Sequence, residues 1–132
     1  MVIDTSAVMA ILRDERERRS FTEAIEDAEQ CLMSAVSFVE ASMVMEARNG
    51  YEGLRDLDLF LLKAGISIEA VDLEQAKVAR SAFTMFGKGR HEASLNFGDC
   101  FSYALAKVSG SPLLFKGDDF SRTDIEAAVK AE

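Results

Sequence analysis

The sequence is poor in residues that break or cross-link a chain: it has one proline, one histidine and two cysteines. So little proline leaves helices uninterrupted, and 48% of the residues are apolar, which together argue a globular, helix-rich protein. Cys31 and Cys100 are too far apart to form a C-x-x-C pair, and two thiols alone cannot make a zinc site. Both are expected to be reduced and buried. No apolar run approaches the roughly 20 residues that span a bilayer. No basic region precedes the first apolar residues, and Asp4 interrupts them, so no signal peptide is read here. The expectation is a cytoplasmic protein without a membrane partner. Basic residues are also scarce, with 15 Lys and Arg against 23 Asp and Glu and a net charge of −8. That argues against a general polyanion-binding surface. It leaves open a nuclease, which needs only local cations near a metal, and it favours attraction of a basic partner.

What the sequence does have is acid at the ends of its apolar segments. Val2 and Ile3 read as a short buried strand that ends on Asp4, with Thr5 or Ser6 capping the helix behind it. In a parallel α/β sheet ligands bind beyond the carboxyl ends of the strands, where Asp4 would stand. The alternative is a turn former or helix cap. A helix follows over residues 6–13, then helical spacing at Phe21, Ala24, Ile25 and Ala28, and a second strand over 31–33. The mixed-charge run 14–19 reads as a solvated helical face.

The helix over 35–48 carries Val36, Val39, Met43, Val44 and Ala47 on one stripe and stops at Asn49-Gly50. Glu40 falls inside that stripe, where a charge is costly unless it is paired or near a cation. A structural salt bridge and a metal or catalytic role both satisfy this. Phe38 and Met45 lie opposite, as a second core contact or a subunit interface. Another helix over 52–64 ends at Gly65, and residues 66–71 alternate as a third strand. Asp72 and Gln75 form a capping box for a helix reaching Phe86.

The stretch 87–91 is the one concentrated basic, flexible segment. Lys88 and Arg90 either complement the negative end of the preceding helix or hold a phosphate backbone. It is not a P-loop, and His91 reads as a surface residue. Asn96 then opens a helix through Val108, with Asp99 in its first turn, where the helix dipole favours an ionised carboxylate. Asp99 is thus either a plain cap or a hard-cation ligand, and Asn96 caps the turn or positions water. Residues 113–115 form the last clear strand, left by Lys116-Gly117-Asp118-Asp119-Phe120. Residues 121–132 form a short strand or a small helix.

This order implies one domain over the 132 residues, a three-layer α/β/α unit around a central, mainly parallel sheet of four or five strands. Asp4, Asp99 and the Asp118-Asp119 pair would leave neighbouring elements at one edge, with Glu40 directed into the same space. Carboxylates so grouped stay ionised only beside a cation or a basic partner. Oxygen-only ligation suits Mg²⁺, with Mn²⁺ as a substitute, rather than zinc. Such a site can activate water on phosphorus, so the expected reaction is phosphodiester hydrolysis.

Val2-Ile3-Asp4-Thr5-Ser6-Ala7, Glu40 in a helix, Gly98-Asp99-Cys100-Phe101-Ser102-Tyr103-Ala104 and Leu113-Leu114-Phe115-Lys116-Gly117-Asp118-Asp119-Phe120 together resemble a PIN domain. More narrowly, they resemble the VapC ribonuclease toxins of type II toxin–antitoxin pairs, from residue 1 to about residue 125. The resemblance implies Asp4 and Asp99 as the principal Mg²⁺ ligands, Glu40 as a third acid and Ser6 as a polar supporter. The spacing before Phe120 favours Asp119 as the fourth acid, with Asp118 as the other candidate. It also implies cleavage of RNA, a homodimer, and a VapB-type antitoxin assembling with it into a larger complex. The antitoxin's tail would set an Arg in the acidic pocket, in agreement with the negative charge. Lys88, Arg90 and Lys116 are the candidate RNA contacts.

Two other readings compete. A catalytically silent PIN-like module would hold RNA or a protein, but has no use for four acids facing phosphates. A phosphatase of the haloacid dehalogenase type needs a second Asp two residues after the first, where this chain has Ser6.

Overall fold

The computed structural model describes residues 1–130. β1 (Val2–Ile3) leads into α1 (Thr5–Leu12) and α2 (Arg18–Asp27), then β2 (Cys31–Ser34) and the long α3 (Ala35–Ala64). β3 (Ile66–Glu69), α4 (Leu73–Phe86), α5 (Phe97–Ser109) and β4 (Leu113–Leu114) follow, with a 3-10 turn at Phe120–Arg122. The four strands form one parallel sheet in the order β3-β2-β1-β4. Beyond β4, Ala127 bridges to Leu113, so the last segment extends the sheet without forming a full strand. The tail expected as strand or helix therefore supplies a 3-10 turn and one bridge. Ala131 and Glu132 lie outside the described residues.

Alternation along the strands divides the core. Ile3, Met33 and Leu114 face the side packed by α1, α2 and α3, while Val2, Leu32 and Leu113 face the side packed by α4 and α5. This is the expected three-layer arrangement. The sheet order reverses between β1 and β4: from β1 the chain steps one way to β2 and β3, then crosses back to place β4 on the other flank. Such a switch point opens a crevice at the carboxyl ends of the two strands. Asp4 leaves β1 there, its backbone N–H donating to the Leu114 carbonyl at 3.0 Å.

Some local expectations are corrected. Asp4 itself, rather than Thr5 or Ser6, caps α1: its backbone is extended and its side chain accepts from the Ser6 N–H. The expected stop at Asn49-Gly50 holds, by contrast: helical geometry breaks at Gly50, with φ 59° and ψ −141°, values open to glycine, so α3 is two helices joined at a kink there. The core face of α3 is Ser37, Ala41 and Met45, with Phe38 and Val44 packed beside them; of the expected stripe, Val39, Met43 and Ala47 are exposed. Val39 and Met43 are 52% and 66% exposed. Small residues at 37 and 41 let α3 approach the sheet closely, which a tally of apolar side chains does not register. At α4 the Asp72 carboxylate accepts from the Gln75 N–H, but Gln75 Nε2 turns to the Ala70 carbonyl, so the expected box is half formed. Both cysteines are buried and free, and burial pushes the Cys100 thiol up to about 11. Among the described residues no helix is long and apolar enough to cross a membrane.

Candidate active site

Asp4 is 3% exposed, and its carboxylate is held on both sides. Oδ2 accepts from the Ser6 N–H at 3.0 Å and from Ser6 Oγ at 2.6 Å. Oδ1 accepts from Ser102 Oγ of α5 at 2.6 Å. Ser6 Oγ in turn accepts from the Lys116 N–H at 3.0 Å, tying the end of β1 to the loop leaving β4. A two-residue strand delivers this carboxylate because it pairs on both flanks and ends at the switch point.

Asp99 stands in the first turn of α5 in a full capping box. Its N–H donates to Asn96 Oδ1 at 2.9 Å, and its Oδ2 accepts from the Asn96 N–H at 3.0 Å. Asn96 is thus a cap that orients Asp99. Glu40 reaches the same helix start from α3. Its carboxylate lies against Gly98, where an added β-carbon would stand 2.5 Å from Oε2.

The four acids share one field. Burial pushes the Asp99 carboxyl from 3.8 up to about 7; the Asn96 backbone bond works against this, and Asp4, Asp119 and Glu40 each add to it. Asp119 is exposed at the start of the 3-10 turn. Asp118 is absent from the charges acting on Asp99, and its carbonyl instead accepts from Ser121 Oγ at 2.7 Å. Of the two adjacent acids, Asp119 is the one whose charge acts on Asp99. Among the described residues, no ion pair involves Asp4, Glu40, Asp99 or Asp119.

The expected basic contacts lie differently. The Lys116 ammonium is engaged by Glu15 at 3.3 Å and Glu17 at 3.5 Å. Its backbone N–H, not its charge, serves the Asp4 network. Lys88 and Arg90 stand on a loop closed by the bonds from Lys88 N–H to the Leu95 carbonyl and from Leu95 N–H to the Phe86 carbonyl. That loop is braced rather than loose. Arg90 stacks over Phe83 at 5.3 Å, and His91 packs edge-on against Phe86 while its Nδ1 accepts from the Ala93 N–H. None of the three cations figures among the charges acting on Asp99.

Three residues that sequence reasoning passed over take part: Ser102, Ser37 and Gly98. Both serines stand three residues from an acid on its own helix, Ser102 after Asp99 and Ser37 before Glu40, so each shares its neighbour's face. That spacing was the available signal.

The donor set is entirely carboxylate and suits a hard divalent cation. Among the described residues no three acids, histidines or cysteines stand close enough to make a ready-made cage. Mg²⁺ does not require one, since it keeps several waters and takes one or two carboxylates together with substrate phosphate. The residues present fit such an ion.

Comparison with known proteins decides the family. The PIN domain family matches residues 1–126. Over 127 residues the chain is 54% identical to a ribonuclease VapC of Mycolicibacterium smegmatis, covering 96% of this chain and 98% of the relative. The chain belongs to the VapC branch of the PIN-domain family. Ribonuclease VapC30 of Mycobacterium tuberculosis is also 54% identical, over 125 residues and 95% of each chain. Among solved structures, Mycobacterium tuberculosis VapC20, described as a sarcin–ricin loop cleaving toxin, superposes with a TM-score of 0.78 at 16% identity over 98% of each chain. VapBC2 of Rickettsia felis, bound to a promoter DNA fragment, gives 0.74 at 14% identity, covering 96% of this chain and 94% of that one. At those identities the two structures speak for the VapC fold alone.

Proposed function

We propose that this VapC-family protein is the toxin of a type II pair, a Mg²⁺-dependent endoribonuclease restrained by a VapB-type antitoxin. The observation that carries the reading is the grouping of Asp4, Glu40, Asp99 and Asp119 at the switch point with no cationic partner among the described residues; burial, with the other three acids adding to it, holds the Asp99 carboxyl up to about 7. Uncompensated carboxylates at that density are a standing cost, relieved when a divalent ion binds. Asp4 and Asp99 hold the ion, Mn²⁺ serving in place of Mg²⁺. Held by those carboxylates, such an ion would supply water activation toward phosphorus and compensation of the charge that develops there.

The chain's own residues set the geometry. Ser6 and Ser102 lock the Asp4 carboxylate, and the Asn96 cap locks Asp99. Glu40 and Asp119 complete the acid set from α3 and the 3-10 turn, directly or through water. Lys88 and Arg90 are the candidate cations left to meet the RNA backbone, since Lys116 is engaged elsewhere.

The same cluster attracts a guanidinium, the chemistry expected of an antitoxin tail. Structural neighbours described as a toxin–antitoxin complex and as VapBC2 support that partner. A homodimer accounts for the uncovered apolar residues Val39, Met43 and Phe97, the last 72% exposed beside Gly98.

The test is cleavage of RNA by the purified protein with Mg²⁺, with chelator, and with Asp4→Ala or Asp99→Ala. Cleavage is expected only in the first case. Activity that survives chelation, or survives both substitutions, overturns the reading.

A further inference from the structure

Behind the Asp4 carboxylate lie two serine hydroxyls, Ser102 on α5 and Ser37 on α3, both fully buried. Ser102 Oγ stands 2.6 Å from Asp4 Oδ1, and Ser37 Oγ stands 3.0 Å from Ser102 Oγ. Each hydroxyl has one proton to give, and an ionised carboxylate only accepts. Ser102 therefore donates to Asp4, which leaves Ser37 as the donor to Ser102. The direction of the chain is fixed, from Ser37 through Ser102 to Asp4. It closes on the residue after Asp4, because Thr5 Oγ1 donates to the Ser37 carbonyl at 3.2 Å.

Packing alone does not call for this arrangement. Alanine at both positions would fill nearly the same space without any polar atom to satisfy, whereas buried hydroxyls cost stability unless paired. The bonds they make are directed at one carboxylate oxygen. Ser6 holds the other oxygen with two donors. With Ser102 gone, Asp4 would be held at Oδ2 only and free to turn about its last torsion.

We propose that Ser102 is a positioning residue for the metal-dependent reaction, fixing the orientation of the Asp4 carboxylate before the ion arrives, with Ser37 aiming the Ser102 hydroxyl. This rests on Asp4 being a metal ligand. Hydrogen bonds to a ligating carboxylate set its direction and basicity, and chains of hydroxyls strengthen one another.

The test uses the intact protein and two readouts: Mn²⁺ affinity by titration calorimetry, and kcat and KM for RNA cleavage. Ser102→Ala is expected to weaken Mn²⁺ binding and lower kcat by about tenfold each, with KM for RNA unchanged. Ser37→Ala should move both in the same direction by a smaller factor, and Ser102→Cys should fall between wild type and Ser102→Ala. A purely structural role would lower the melting temperature and leave Mn²⁺ affinity of the folded protein alone. Wild-type affinity and kcat in Ser102→Ala overturn the proposal whatever the melting temperature does. If Ser102→Ala does not fold, Ser37→Ala decides: weaker Mn²⁺ binding supports the proposal, unchanged binding overturns it. Wild-type protein that binds neither Mn²⁺ nor Mg²⁺ overturns the metal assignment itself, a result distinct from a null effect at Ser102.

Discussion

The Glu40 carboxylate lies so close over Gly98 that a β-carbon there would stand 2.5 Å from Oε2 and 2.9 Å from Cδ and Oε1. The glycine is the space in which a third acid meets the start of α5. Gly98→Ala should therefore push the Glu40 side chain away, an easy shift for the far end of a flexible chain. The strain is offset by the better helix propensity of alanine, worth up to about 1 kcal/mol. The expected outcome is a near wild-type melting temperature with RNA cleavage down by roughly tenfold to a hundredfold. Melting curves and single-substrate kinetics on the same preparation check it; a collapse of stability with normal activity per folded molecule would contradict it.

Asp99→Asn is expected to abolish cleavage yet stabilise the metal-free fold. Burial and neighbouring acids raise the carboxyl from 3.8 to about 7 in the fold, so the unfolded chain releases this proton first. Stability from this group is full below its ordinary value, falls as pH rises, and is lost above about 7. An amide removes that loss and can still accept from the Asn96 N–H. After discounting for the partial exposure of Asp99, the gain at pH 8 should be on the order of 1 kcal/mol, a few degrees in melting temperature. At pH 4 the two proteins should melt together.

The same proton competes with the ion. At pH 8 Asp99 is already ionised, whereas at pH 6 the ion must displace a proton from it. Apparent Mg²⁺ affinity should be about tenfold weaker at pH 6 than at pH 8. Thermal shifts at fixed Mg²⁺ across that range measure this, and equal shifts at both pH values would rule it out.

The three candidate cations should separate by kinetics. Lys116→Ala removes only a partly exposed pair with Glu15 and Glu17, so a loss of up to about 1 kcal/mol and little change in KM are expected. Lys88→Ala with Arg90→Ala should raise KM for RNA. The slope of log affinity against log salt should flatten by roughly 0.7 for each phosphate that is no longer neutralised. A salt slope unchanged in the double variant would remove that loop from the RNA path.

Asp4 and Asp99 were legible because local chemistry marks them: one ends a β-branched run, the other opens a helix after Asn96. The layered sheet was equally plain from the order of apolar segments. The inner face of α3 was not, because Ser37 and Ala41 point inward while Val39 and Met43 stay exposed. Hydrophobic periodicity ranks those four the opposite way. The bond from Ser102 to Asp4 spans 98 positions and exists only once α5 lies on the sheet. The spacing before Phe120 leaned to Asp119 without excluding Asp118, because the 3-10 turn that sets their surroundings is not marked in the sequence.

β1 lies inside the sheet although it precedes the other strands in the chain, with β2 on one flank and β4 on the other. Its second flank stays bare until Leu113 and Leu114 have been made. A growing chain therefore carries Asp4 on a half-paired strand until then, and without Asp99 or Ser102 beside it until α5 has emerged. The acid cluster thus assembles only late in synthesis, after most of the chain has been made.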